Sequence, residues 1–307
     1  MEALERVLQQ CRDQCVDAQF LSAWTTLQTF HDELEAKAHS LSEEDKPCRE
    51  KLVCSPEYIE LKKKYEKISR VRSMFADKSA WTVVTSPQRE GDLEVLFKTE
   101  PTESSHTFLL TSVLEVPLFN IAAVIYETDL YSTWMPRVKK STPLGTLGVF
   151  EKAVKIEFQV IWPLATRDMV VLGYGVDLIE ENAILCTMHS VSRHDSIDIP
   201  ETRDGEVRLF MNIGGFRCEF LEDDKTKMQL VMNIDPKVPA APEMLLNFAI
   251  RQVICWIFHN LERAAKFDGS SVYAERIKCN SGFYEKVGRI IENGKKRKLD
   301  SKLSPKI

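Results

Sequence analysis

"EKAVKIEFQVIWPLATRDMVVLGYG" occupies residues 151–175, and its reading decides the fold. In its first half and the residue before it, Phe150, Val154, Ile156, Phe158 and Val160 fall on one side, and Glu151, Lys155, Glu157 and Gln159 on the other. A period of two is a β-strand with one apolar face and one wet face. Trp162 and Pro163 break the strand, Arg167–Asp168 follows, and a second apolar run starts at Met169 and contains Gly173 and Gly175. A charged dipeptide at the mouth of such a run reads as a catalytic pair, a nucleotide contact, or the hinge between two strands.

Outward from this stretch the same period recurs. Strands are expected in "AWTVVTS", "DLEVLFKT" and "HTFLLTSVLEV", and later in "VKKSTPL", "AILCTMHSVS", "EVRLFMNIGGFRCEFL" and "TKMQLVMNID". In the last of these Met228, Leu230, Met232 and Ile234 alternate with Gln229, Asn233 and Asp235. Helical spacing covers residues 1 to about 40, then 55–75, where Ser55 is an N-cap and Pro56 sits at the first helical position. "SLSEEDKPCRE" separates these two stretches with turn formers and charge. "PLFNIAAVIYE" and "TDLYSTWMPRV" supply helices between the third and fourth strands, and "PEMLLNFAIRQVICWIFHNLERAAKF" supplies one long helix, apolar almost all round. Short connections between successive strands make the sheet antiparallel, and segregated helices make the class α+β.

Composition excludes several function classes. The 307 residues carry a formal net charge of −5, with 44% apolar residues, so nothing global points to nucleic acid. Residues 268–307 hold ten Lys/Arg against five Asp/Glu, a basic end on an acidic body. The charged, amphipathic start "MEALERVLQQ" has no apolar core of a secretory signal, so the eight cysteines are expected as reduced thiols in a cytoplasmic protein. No CxxC pair occurs, and Cys11 and Cys15 lack a second ligand pair, so no metal is expected. No window approaches the length of a membrane span. GxSxG, HExxH, P-loop and GxGxxG motifs are absent, and no catalytic residue and no cofactor are assigned.

Four tracts in order carry a family likeness. "YETDLYSTWMPRVKKSTPLG" contains Trp134, Pro136 and Val138; "IWPLATRDMVVL" leads an aromatic–proline loop into Arg-Asp; "GGFRCEF" is a Gly-Gly-aromatic step; "LVMNIDPKVPAAPEMLLNFAIRQV" is an Asp-Pro linker into the last long helix. Over residues 56–266 the sequence resembles the StAR-related lipid transfer (START) domain. The resemblance implies a helix-grip fold: a long curved antiparallel sheet wrapped around a C-terminal helix, with a tunnel for one lipid. It implies a non-catalytic carrier or sensor of a hydrophobic lipid. Where some sterol-binding members place a paired acid and arginine, this chain has Val154 and Gly173, which lowers the case for a sterol held in that way and favours a phospholipid. Trp134, Phe158 and Tyr174 are available for a choline cage.

The expected organisation is a helical extension at 1–55, a START-like domain at 56–267 and a basic tail at 268–307. The expected tunnel lining is Val154, Ile156, Phe158, Val160, Met169, Val171, Gly173, His189, Met211, Met228, Met232, Phe248, Gln252 and Trp256. Methionines suit irregular lipid chains, though core methionines have the same pattern, and His189 reads equally as a hydrogen-bonded core residue. Trp162, Pro163, Arg167 and Asp168 are expected to frame the mouth, the charged pair as a structural brace. In the tail, Phe283, Tyr284, Val287, Ile290 and Ile291 share a helical face, followed by Lys295, Lys296, Arg297 and Lys298. That pattern fits a short amphipathic helix on an anionic membrane, a nuclear localisation patch, or a solvated end. The expected partners are a lipid, a phospholipid or sterol, and a membrane surface touched peripherally, with no nucleic acid and a monomeric state. A scaffold using the extension and tail, or an enzyme on the same fold, are the alternatives.

Overall fold

The alternating segments form one sheet. β1 (Thr82–Thr85), β2 (Glu94–Thr99) and β3 (His106–Leu114) precede β4 (Val138–Gly148), β5 (Glu151–Phe158), β6 (Arg167–Leu178), β7 (Ala183–Ser190), β8 (Val207–Arg208), β9 (Phe210–Phe220) and β10 (Thr226–Asp235). The computed structural model describes residues 2–38, 45–85, 92–99, 105–159, 165–235, 237 and 243–303. Within them the strand order is β1-β2-β3-β10-β9-β7-β6-β5-β4, antiparallel throughout this path. The eighth expected strand is divided. Its first two residues, β8, run parallel to β6, because Arg208 is held by Asp168 and the Leu209 N–H donates to the Asp168 carbonyl before the chain turns into β9.

Nine helices among the described residues cover the two faces of this sheet: α1 (Glu2–Val16), α2 (Phe20–Ala38), α3 (Asp45–Val53), α4 (Pro56–Ala76), α5 (Leu118–Tyr126), α6 (Tyr131–Trp134), α7 (Glu243–Ala265), α8 (Val272–Cys279) and α9 (Ser281–Leu303). The Ser55 hydroxyl accepts from the Tyr58 N–H at 3.3 Å, capping α4 as the sequence predicts. The helical stretch expected to run to about residue 40 breaks at Ala18, whose φ is +62°. Residues 45–50, read as part of an interruption, are helical instead, within α3.

On the outer face α4 lies across the middle of the sheet, with α1 to α3 packed behind it. Leu61, Ile68, Val71 and Phe75 join Leu109, Leu185, Ile213 and Val231 in one buried cluster, which also takes in Leu4, Leu8, Leu27 and Leu52. The N-terminal helices are therefore docked on the sheet. Gly215 permits the close approach of α4: a Cβ there would lie 2.7 Å from Val71 Cγ1 and 3.0 Å from the Cys186 carbonyl.

The wet face expected for β5 is dry. Glu151, Lys155 and Glu157 are all buried, because α4 and the segment before β8 cover them, and each has a partner. Glu151 accepts from Lys64 of α4 at 2.8 Å. The Asp168 side chain, fully enclosed, receives Arg208 through Nε and Nη2 at 2.7 Å each and Lys155 Nζ at 3.2 Å. Burial alone would raise the Asp168 carboxyl; hydrogen bonds and charge from Arg208, then Lys155, outweigh it and hold it below the ordinary carboxylate range.

The expected boundary at residue 268 coincides with no break in packing. Tyr273 of α8 and Phe283, Tyr284, Val287 and Ile291 of α9 are buried in the same cluster as Leu230, Phe258 and Leu261. The Tyr284 hydroxyl donates to buried Glu127 at 2.6 Å. The amphipathic face read in the tail exists, and it packs into the domain because the inner face of the sheet needs covering.

Two outcomes follow for stability. Asp168→Asn leaves two cations without their carboxylate and should cost about 3–5 kcal/mol in denaturant unfolding at neutral pH. Because the native carboxyl is held low, its contribution is present above the pKa of an unfolded carboxyl and is lost as pH falls through the native value, so the wild-type advantage should shrink in acid. Gly215→Ala should cost about 1–3 kcal/mol by pushing α4 off the sheet; an unchanged unfolding midpoint would contradict the close contact.

Candidate functional site

Between the inner face of the sheet and α5, α6, α7 and α9 lies a cavity of about 540 Å³. Strand parity builds its floor. On β5 the residues that face it are Lys152, Val154, Ile156 and Phe158; on β6, Arg167, Met169, Val171, Gly173 and Gly175; Met211 and Met232 come from β9 and β10. Helices close the roof with Ile121, Ile125 and Tyr126 of α5, Trp134 of α6, Val253 and Ile257 of α7, and Phe283, Val287 and Ile290 of α9.

The structure brings together eight of the expected lining residues: Val154, Ile156, Phe158, Met169, Val171, Gly173, Met211 and Met232. Four others lie elsewhere. His189 is on the outer face, because Cys186 and Met188 of the same strand face the cavity. Its Nε2 is 2.6 Å from Lys67 Nζ, and burial, then the Lys67 charge, push its pKa down to about 4, so the ring is a neutral acceptor. Met228 shares a strand face with Leu230 and Met232 but is fully buried in the core and does not reach the cavity. Trp256 is 47% exposed: Val253 and Ile257 turn inward, and one residue back from Ile257 is about 100° around the helix. Gln252, next to Val253, is part-buried outside the lining. Val160, Trp162, Pro163 and the Phe248 side chain lie outside the described residues.

Arg167 and Asp168 do not pair with each other, since neighbours on a strand point to opposite faces. Asp168 sits in the outer ion cluster. Arg167 lines the cavity and donates to the carbonyls of Ala165 at 2.6 Å and Lys237 at 3.5 Å, tying two loop segments together at this end. The three aromatics considered for a choline cage do not converge. Trp134 and Phe158 line the cavity, whereas Tyr174 is on the outer face, packed edge-on against Phe20 with ring centroids 5.7 Å apart.

Sequence reasoning missed Lys152, although parity with Phe150 and Val154 assigns it to the inner face. Its Nζ lies 3.3 Å from the centroid of the Tyr126 ring and donates to the Tyr126 carbonyl at 3.2 Å. Phe283 stacks on the same ring, with centroids 3.6 Å apart. Burial lowers the lysine's pKa; Glu127 and Asp129 partly offset this, and Arg276 adds to it. Sequence reasoning also missed the α9 residues as part of the wall, where their i, i+4 spacing was the available signal.

The thiols and phenols of the wall are held neutral at ordinary pH. Burial pushes the Cys186 and Cys218 thiols up to about 12, and pushes the Tyr126 and Tyr131 hydroxyls up as well. The wall is mostly aliphatic, thioether and aromatic, with Arg137, Lys152, Arg167 and Asp177 its charged members. Such a space can hold an apolar body of drug size or larger while a few polar groups orient it.

No protein-family model and no curated protein sequence matches this chain. Solved structures do match it in shape. Human StAR-related lipid transfer protein 5 is 16% identical, with 66% of this chain and 94% of that one covered and a TM-score of 0.57. Human STARD10 is also 16% identical, with 70% and 83% covered and a TM-score of 0.56. The human StarD13 (DLC2) lipid transfer and protein localization domain is 13% identical, with 65% and 96% covered and a TM-score of 0.51. Nearly all of the first and third structures is matched, while about a third of this chain has no counterpart in them. At such identities the likeness is one of fold, and in fold this chain is a START-like helix-grip domain.

Proposed function

We propose that the protein binds a single hydrophobic lipid in the inner cavity and carries it between membranes, or senses it, without catalysis. The observation that carries this reading is the cavity itself: about 540 Å³, walled by apolar side chains from both the sheet and the helices. Each methylene moved into it from water is worth about 0.8 kcal/mol, so a long acyl chain or ring system is held without ionic contacts. The structural neighbours named as lipid transfer proteins support the same reading. The neutral state of the wall's thiols and phenols supports a non-catalytic role, because none is poised as a nucleophile or base.

Within lipids we favour a phospholipid over a sterol. Val154 and Gly173 line the cavity where some sterol-binding members of the family place a charged pair. We further propose peripheral contact with anionic membrane through Lys295, Lys296, Arg297 and Lys298. Lys295 pairs with Asp224 and Arg297 with Glu180, while Lys298 donates to the Phe220 carbonyl. Exposed pairs of this kind contribute about 0.2–1 kcal/mol, so lipid phosphates compete with them readily. Among the described residues no helix is long and apolar enough to cross a membrane.

Native mass spectrometry of protein purified from cells tests the reading. The expected result is an added lipid mass. Protein that is always empty, and that extracts nothing from mixed liposomes, would overturn it. Gly173→Phe offers a second check, since a Cβ there meets nothing closer than 3.8 Å and the ring must enter the cavity. Lipid uptake should fall severalfold while the unfolding free energy stays within about 1 kcal/mol of wild type.

A further inference from the structure

The cavity wall carries an excess of positive charge: Arg137, Lys152 and Arg167 against Asp177. The three cations differ in their surroundings. Arg137 is exposed, and Arg167 donates to two backbone carbonyls. Lys152 is part-buried, its ammonium capped by the Tyr126 ring and bonded to one carbonyl, and among the described residues no carboxylate oxygen lies within 4.0 Å of it. The two nearby acids are already engaged: Glu127 accepts the Tyr284 hydroxyl at 2.6 Å, and Asp129 receives Arg276 at 2.6 Å.

An ammonium has three N–H donors, and one carbonyl uses one of them. Withdrawing such a group from water is costly unless an anion receives it. Across the β5–β6 ladder Lys152 faces Gly173, so no side chain competes for the space between them. The rest of the wall offers mainly apolar contact, so the natural source of an anion for Lys152 is a ligand seated there.

We propose that Lys152 receives an anionic oxygen of the bound lipid, so that the cavity selects lipids bearing a phosphate or carboxylate over neutral lipids with the same apolar body. This rests on the lipid-carrier reading above and names the chemistry that reading leaves open. A charge-assisted hydrogen bond in a water-poor wall is roughly twice as strong as a neutral one, enough for about tenfold discrimination.

The test uses the full chain and vesicles of digalactosyldiacylglycerol, a neutral bilayer lipid. The vesicles are doped with two matched pairs: phosphatidic acid with diacylglycerol of the same chains, and oleic acid with oleyl alcohol. Native mass spectrometry reads what the protein extracts. The expected result is at least about tenfold preference for the acidic member of one pair, lost in Lys152→Gln and kept in Lys152→Arg; the pair concerned tells phosphate from carboxylate. Equal loading of acidic and neutral members by the wild type overturns the proposal and leaves the carrier reading standing, and so does a preference that survives Lys152→Gln. A wild type that loads no lipid overturns both.

Discussion

The middle strands of the sheet are covered on both faces, and this constraint governs the rest of the molecule. Strand parity sends alternate residues to two dry environments, one packed solid and one hollow. On the outer side α4 and the helices before it press directly on the strands, and the buried Glu151, Lys155, Glu157 and Asp168 each meet an opposite charge. On the inner side the helices stand off, leaving a space whose wall is mostly apolar. Polar residues are tolerated where a partner from another element reaches them, as Lys64 reaches Glu151 and Arg208 reaches Asp168.

The two treatments of charge separate structure from function. The outer cluster around Asp168 is closed: its carboxylate is shared by two cations within hydrogen-bond range, and nothing is left for a ligand. Lys152 is open: its contacts are a ring face and one carbonyl. Both residues sit on neighbouring strands in the stretch that names the fold. One acts as a brace because it faces a covering layer, the other as a polar contact in the cavity because it faces empty space.

Much of this was legible in the residue pattern. The period of two across residues 150–175 assigns Val154, Ile156, Phe158, Met169, Val171 and Gly173 to one side, and the cavity is on that side. The pattern misled where chemistry was followed in place of parity. His189 drew attention as a titratable group, yet its position in β7 turns it outward. Lys152 is absent from the expected lining, although the same counting turns it inward. Periodicity reports that a face is buried and not by what, so the dry outer side of β5 became visible only with α4 and the β8 segment in place. The apolar row of α9 was legible from its spacing, but the basic run after it pointed to a membrane or solvent, whereas the row is spent on the core.

That last helix has a thermodynamic consequence. Phe283, Val287 and Ile290 form part of the cavity wall, while the same helix carries the run Lys295–Lys298 nearer its C-terminal end. Any guest touching those three side chains gains contact only while the helix is docked, so occupancy and docking are linked functions. Reciprocity then applies: whatever pulls the basic end of the helix away from Asp224 and Glu180 must weaken the hold on the guest by the same free energy with which the guest tightens the helix. Residues 295–298 would thus act as a handle on the interior: a pull there would loosen whatever the cavity held.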